Sequence, residues 1–184
     1  MLKSILKSVT VLALAFVASQ TFAQKVSSKK TSISFYSHTA VEDIKANNYA
    51  SVSTLDQTTG DVVFSVPMQS FEFEKSLMQK HFNGPDFLDT QKEPKAKLVG
   101  KITNLAQVNF KKDGTYTAEV TGEMTIKGIT KPITEKATIT IKGADIHVDT
   151  KFNLTLADYG VAFSKGKPST NIAKTVETTV IAEY

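Results

Sequence analysis

The side chains of this chain best suited to proton transfer or metal binding near neutral pH are three histidines, His38, His81 and His147. No two of them have the short spacing that brings a pair of imidazoles to one metal, and His147 falls on the polar side of an alternating run. Serines are plentiful, yet none stands in the Gly-x-Ser-x-Gly turn that presents a nucleophile. Glu72 and Glu74 share one face of an extended chain, which is the raw material of a glycosidase pair. They alternate with Phe71 and Phe73, and carboxylates alternating with phenylalanines are ordinarily a solvated face. Asn153-Leu154-Thr155 spells a glycosylation sequon inside ordinary strand sequence. The residues therefore nominate no catalytic set, no metal site and no cofactor motif. What they offer instead is apolar surface, and the question becomes which elements could wrap it.

The start of the chain and its composition set the context. The opening "MLKSILKSVTVLALAFVASQTFAQ" has two lysines, an apolar run from Val9 to Ala18 and small residues at Thr21 and Ala23, the pattern of a signal peptide cut after Ala23. The run is about half of the roughly 20 residues needed to cross a bilayer, so it predicts export to the periplasm or beyond rather than a transmembrane anchor. Removing 23 residues leaves 161, enough for one domain with its own core. The leader carries two lysines and no acid, so the net charge of +4 falls to +2, too weak to imply nucleic acid. All 22 basic residues are lysines, and the planar guanidinium fork that grips phosphate or guanine is absent. With no cysteine, the chain has neither a disulfide framework nor a site for a lipid-accepting thiol.

Strand follows strand after that. From Tyr116 to Ile126 the residues Tyr116, Ala118, Val120, Gly122, Met124 and Ile126 alternate without exception with Thr117, Glu119, Thr121, Glu123 and Thr125. Asp145 to Leu156 repeats the pattern, with Val148, Phe152 and Leu154 opposed to His147, Lys151 and Asn153. Weaker alternation runs through Thr31–Ser37, Tyr49–Leu55, Asp61–Phe73, Ala96–Thr103, Ile133–Lys142 and Thr175–Tyr184, which makes eight strands joined by turn signals such as "DQTTGD" and "KGITKP". Short connections force antiparallel neighbours, and eight such strands form a barrel or a sandwich. Residues 24–30 are expected to be a flexible lead-in and 31–184 the domain.

One segment breaks the rhythm. The phase of Asp61–Phe73 slips near Gln69, just after Pro67, which predicts a bulge or an edge position. Glu74–Phe82 then reads as a short helix with Leu77, Met78, His81 and Phe82 at helical spacing, followed by the turn Asn83-Gly84-Pro85-Asp86 and the anchors Phe87 and Leu88. This segment caps one end of a barrel, either as the lid of a cavity or as a plug over a filled interior. The small inner residues Ala118, Ala137 and Thr150 favour space inside, while Phe64, Met124, Phe152 and Leu154 could equally fill it.

At this point the order of "SFEFEKSLMQKHFNGPDFLDTQKEPKAKLVGKI", "VTGEMTIKGITKPI" and "LTLADYGV" resembles the YceI-like family of the bacterial envelope, with Gly122, Gly128, Pro132, the His81-Phe82 pair and Gly160 matching its pattern. The likeness runs from about Thr31 to Tyr184. It departs at Glu93, where the family usually has an aromatic, and in a shorter amino-terminal strand. The resemblance implies an eight-stranded antiparallel lipocalin-like barrel with one short capping helix and a long apolar cavity for an isoprenoid tail or similar lipid. The expected lining is Phe64 and Val66, then Leu77, Met78 and Phe82 from the helix, then Ala118, Met124, Ala137, Ile139, Phe152 and Leu154. The reading is of a binding protein for an apolar ligand, not an enzyme; its alternative is a structural or interaction protein with a filled barrel.

Overall fold

The structure is a computed structural model that describes residues 25–161, 163–164, 167–168 and 171–184, the two short pairs by backbone alone. The expected leader, 1–23, lies outside the described residues. In chain order the strands are β1 (Lys25–Ser27), β2 (Lys30–His38), β3 (Asp43–Asn48), β4 (Val52–Asp56), β5 (Asp61–Pro67), β6 (Phe71–Phe73), β7 (Lys95–Ile102), β8 (Gly114–Ile126), β9 (Ile129–Lys142), β10 (Asp145–Thr155), β11 (Phe163–Ser164), β12 (Lys167–Pro168) and β13 (Thr175–Glu183). Among the described residues there is one α-helix, α1 (Ser76–Asn83), between β6 and β7.

Eleven strands form a single curled antiparallel sheet in the order β1-β4-β5-β7-β8-β9-β10-β13-β2-β3-β6, and β11 pairs with β12 apart from it. The expected count of eight becomes eleven because one expected run, Asp61–Phe73, divides in two, and because β1 and β3 form where no strand was expected, so that three stretches of chain bend and serve two ladders each. Residues 25–38 pair first with β4 and then, as β2, with β13 and β3. The run from Asp43 to Asp56 turns at Asn48, whose side-chain amide donates to the Pro67 carbonyl at 2.8 Å while its oxygen accepts from Ala50 N–H and the Ser51 hydroxyl. The third run bends at a 3-10 turn, Met68–Ser70, which separates β5 from β6 where a bulge was expected and returns Phe71 to the interior. The two end strands of the order, β1 and β6, thus continue by a short chain segment into β2 and β5, and the sheet wraps round on itself.

β3 had no counterpart in the sequence reading, and Lys25–Ser27 forms a strand where a flexible segment was expected. Elsewhere the period-two pattern holds its register. Ala118 and Ile126 of β8 are buried while Glu119, Thr121, His147 and Lys151 are exposed. The β8–β9 hairpin closes on two residues, Lys127 at φ 50° and Gly128 at φ 71°, the left-handed pair that a tight turn between twisted strands demands. β9 consequently begins at Ile129 and takes in Pro132, four residues before the expected start at Ile133.

Two apolar clusters fill the two ends. At the end near Tyr184, Leu55, Val62, Ile102, Ala118, Ile139 and Ile141 pack into a closed base. There the Tyr184 hydroxyl meets the Ser53 hydroxyl at 2.8 Å, and burial pushes the phenol's pKa up. At the other end Phe71, Phe82, Leu88, Leu156, Tyr159 and Val176 pack under the helix. Phe64 packs against both clusters.

Candidate functional site: an apolar cavity under the helix

Between the two clusters lies a cavity of about 420 Å³. Its wall is hydrocarbon almost throughout: Ile33 and Phe35 from β2, Phe64 and Val66 from β5, Leu98 from β7, Met124 from β8, Ile139 from β9, Phe152 and Leu154 from β10, Val176 and Val180 from β13. The period of two explains the convergence, since each strand turns alternate side chains to one face and the curl of the sheet brings those faces together. Ser37, Glu42 and His81 supply polar groups at the helix end, and Glu135, Lys136 and Thr150 supply them along β9 and β10.

Of the eleven residues expected to line it, Phe64, Val66, Met78, Phe82, Met124, Ala137, Ile139, Phe152 and Leu154 do. Leu77 does not: it is 60 % exposed, because α1 begins at Ser76 and its two turns direct Met78 and Phe82 inward instead. Ala118 does not either, being 0 % exposed inside the closed base.

The segment after His81 caps the cavity through a ring cluster. Phe82 lies 4.9 Å from Phe73, 5.4 Å from Phe71, 5.8 Å from Phe35 and 6.1 Å from Phe87, centroid to centroid, in tilted, edge-on and stacked arrangements. The chain beyond is held by Thr90, 0 % exposed, whose hydroxyl donates to the Asn83 side-chain oxygen at 2.9 Å. Asn83 in turn donates to the Gln79 carbonyl, and Gln69 donates to the Thr90 carbonyl.

Many lining residues were not among those expected from the sequence, and three of them show different reasons. Phe35 was legible in the alternation Ile33, Phe35, Ser37. Tyr159 sits in a 3-10 turn, Leu156–Tyr159, that has no periodicity to read. Glu135 lies on the inward face of β9 by register, opposite Val120 and two residues from Ala137, but a charge at an inward position contradicts the usual pattern.

Among the described residues no group of histidine, cysteine and acidic side chains could hold a metal ion, and no helix is long and apolar enough to cross a membrane. A curled antiparallel sheet with one short helix over an apolar cavity defines a lipocalin-like architecture. The chain belongs to the family described as the YceI-like domain, whose model matches residues 24–184. A UPF0312 protein of Pseudomonas putida strain W619 is 44 % identical over 66 residues, 36 % of this chain and 31 % of the relative. One from Pseudomonas fluorescens strain SBW25 is 32 % identical over 109 residues, 56 % of this chain and 53 % of the relative, so the chain spans about a third to a half of the length of these curated relatives. Among solved structures, a polyisoprenoid-binding domain from Saccharophagus degradans implicated in plant cell wall breakdown is similar with a TM-score of 0.73, at 13 % identity over 86 % of this chain and 96 % of that one. BcnA of Burkholderia cenocepacia is similar with a TM-score of 0.69, at 18 % identity over 84 % of this chain and 96 % of that one.

Proposed function

We propose that this protein is an exported carrier or scavenger that binds a lipid or isoprenoid-type chain in its cavity without chemical change. The observation that carries the reading is the cavity of about 420 Å³ with an almost wholly apolar wall, within the range of small-molecule sites. Binding there draws on buried apolar area at roughly 25 cal/mol per Å² and needs no catalytic group. The polyisoprenoid-binding neighbour of the same fold supports an isoprenoid among the candidate ligands. The amino-terminal leader pattern supports export, to the periplasm or the medium.

Native mass spectrometry of protein purified gently from its own host, with organic extraction of the same sample, tests the reading. A co-purifying prenyl or acyl species is the expected result. Repeated absence of any apolar adduct, together with no uptake of a fluorescent apolar dye, would overturn it.

A further inference from the structure

The wall of the cavity is not equally closed all round. β8 and β9 pair over their whole facing length, from Gly114↔Ile141 to Ile126↔Ile129. β9 and β10 pair only from Lys142↔Asp145 to Thr138↔Asp149. The last link is a side-chain bond, from the Thr150 hydroxyl to the Lys136 carbonyl at 2.7 Å. Beyond it, 129–137 keep β8 as a partner and 150–155 keep β13, but the two strands no longer bond to each other. The chain closes again at the helix end, where the Leu156–Tyr159 turn packs on β9 and Lys127 Nζ donates to the Gly160 carbonyl at 3.1 Å. A gap in the wall is therefore bounded on every side.

A second cavity of about 200 Å³ occupies this gap, and its lining is polar where the first is apolar: Lys131, Thr134, Glu135, Asn153, Thr155 and Asp158. The two spaces share Met124, Ile133, Glu135, Leu154 and Tyr159. Glu135 is the one charged residue common to both, it is half-buried, and among the described residues its carboxylate makes no hydrogen bond or ion pair within the protein. A carboxylate with no partner inside the protein, standing at the junction of an apolar and a polar space, is placed to receive a donor from a ligand.

We infer that the gap between β9 and β10 is the mouth of the cavity, and that Glu135 at its lip receives the polar end of an amphiphile whose head donates hydrogen bonds: a hydroxyl, an amine or an ammonium group. This rests on the carrier reading and adds to it an entry route and a head-group class. The tail passes between Ile133 and Leu154 into the hydrocarbon interior while the head stays in the polar vestibule. In the lining of the polar space two carboxylates, Glu135 and Asp158, stand against one lysine, Lys131, so an anionic head such as a phosphate is disfavoured there.

The test uses an environment-sensitive apolar dye, displaced by a fatty amine, a fatty alcohol and an alkyl phosphate of one chain length, each below its micelle-forming concentration. The amine should displace the dye about tenfold more strongly than the alkyl phosphate, and Glu135→Gln should reduce that ratio by about tenfold, the scale of a charge-assisted hydrogen bond. Entry is read in Thr134→Cys/Asn153→Cys, whose residues would stand opposite each other if the β9–β10 ladder continued, and which would hold the only two thiols of the chain. Coupling them with a short bismaleimide should slow dye uptake relative to the same protein before coupling. An unchanged rate after coupling, or the same ranking of heads in parent and E135Q, overturns the inference while leaving the carrier reading standing. No dye uptake by the parent overturns both.

Discussion

Gly100 and Gly122 lie directly opposite one another across β7 and β8, and a methyl group on Gly122 would come within 2.3 Å of the Val99 carbonyl oxygen and 2.4 Å of Gly100 Cα. The two strands approach too closely there for any side chain on Gly122. On Gly100 a methyl group would meet the Thr121 carbonyl oxygen at 3.1 Å and the side chains of Val120 and Val62 at 3.3 and 3.5 Å. Gly122→Ala must push backbone apart and should cost about 1–3 kcal/mol or more, whereas Gly100→Ala should cost less. Urea midpoints at unchanged slope check the order.

Ala118 and Ala137 are also paired across a ladder, yet they differ in surroundings. Ala137 lines the cavity, while Ala118 is enclosed in the base. Ala137→Leu should leave stability within about 1 kcal/mol and weaken dye uptake, because its added carbons enter empty space. Ala118→Phe should lose about 1–3 kcal/mol by overpacking. Thermal melting beside a binding titration separates the two, and equal destabilisation by both would mean that the interior is full.

The cap should depend on one ring. Phe82→Ala removes the hub of four aromatic contacts and should cost about 3–5 kcal/mol. Leu77→Ala, one turn earlier and exposed, should stay within about 0.5 kcal/mol. Comparable losses for the two would contradict the orientation of α1.

Alkaline pH should weaken the closed base. Burial raises the Tyr184 pKa above its ordinary value near 10, and the Ser53 bond opposes this only in part. The raised value stabilises the fold below the unfolded pKa, and that stability is lost as pH climbs from about 10 through the folded value. Urea midpoints measured from neutral to strongly alkaline pH should fall more steeply in the parent than in Tyr184→Phe, which has no phenol to ionise. Parallel curves would show that Tyr184 is not the responsible group.

How far the sequence revealed this molecule depended on how strictly its strands alternate. β8 and β10 were legible residue by residue because one face of each is apolar and the other polar or charged. β3 was invisible, since "DIKANN" combines residues that strands usually avoid, although Ala46 and Asn48 are wholly buried. The three bends were reduced to one phase slip because a bend conserves composition while dividing a ladder. In the site, the apolar wall followed from the alternation, but Leu77 was misplaced because the rotation of a two-turn helix depends on its first residue. Glu135 was passed over because its functional interest lies in breaking the rule by which the wall was found.

The gap between β9 and β10 also bears on self-association. Strands without partners on one side are templates for pairing with another molecule, and this opening exposes two of them. β9 carries Pro132, which has no N–H to offer, and the exposed Lys131 and Lys136. β10 turns Lys151 outward, tied to Glu177 of β13 at 2.9 Å. A second copy approaching the gap therefore meets a missing donor and exposed lysines instead of a continuous hydrogen-bonding edge. The mouth can stay open to a thin chain of methylenes without becoming a place where one copy adds its strands to the next.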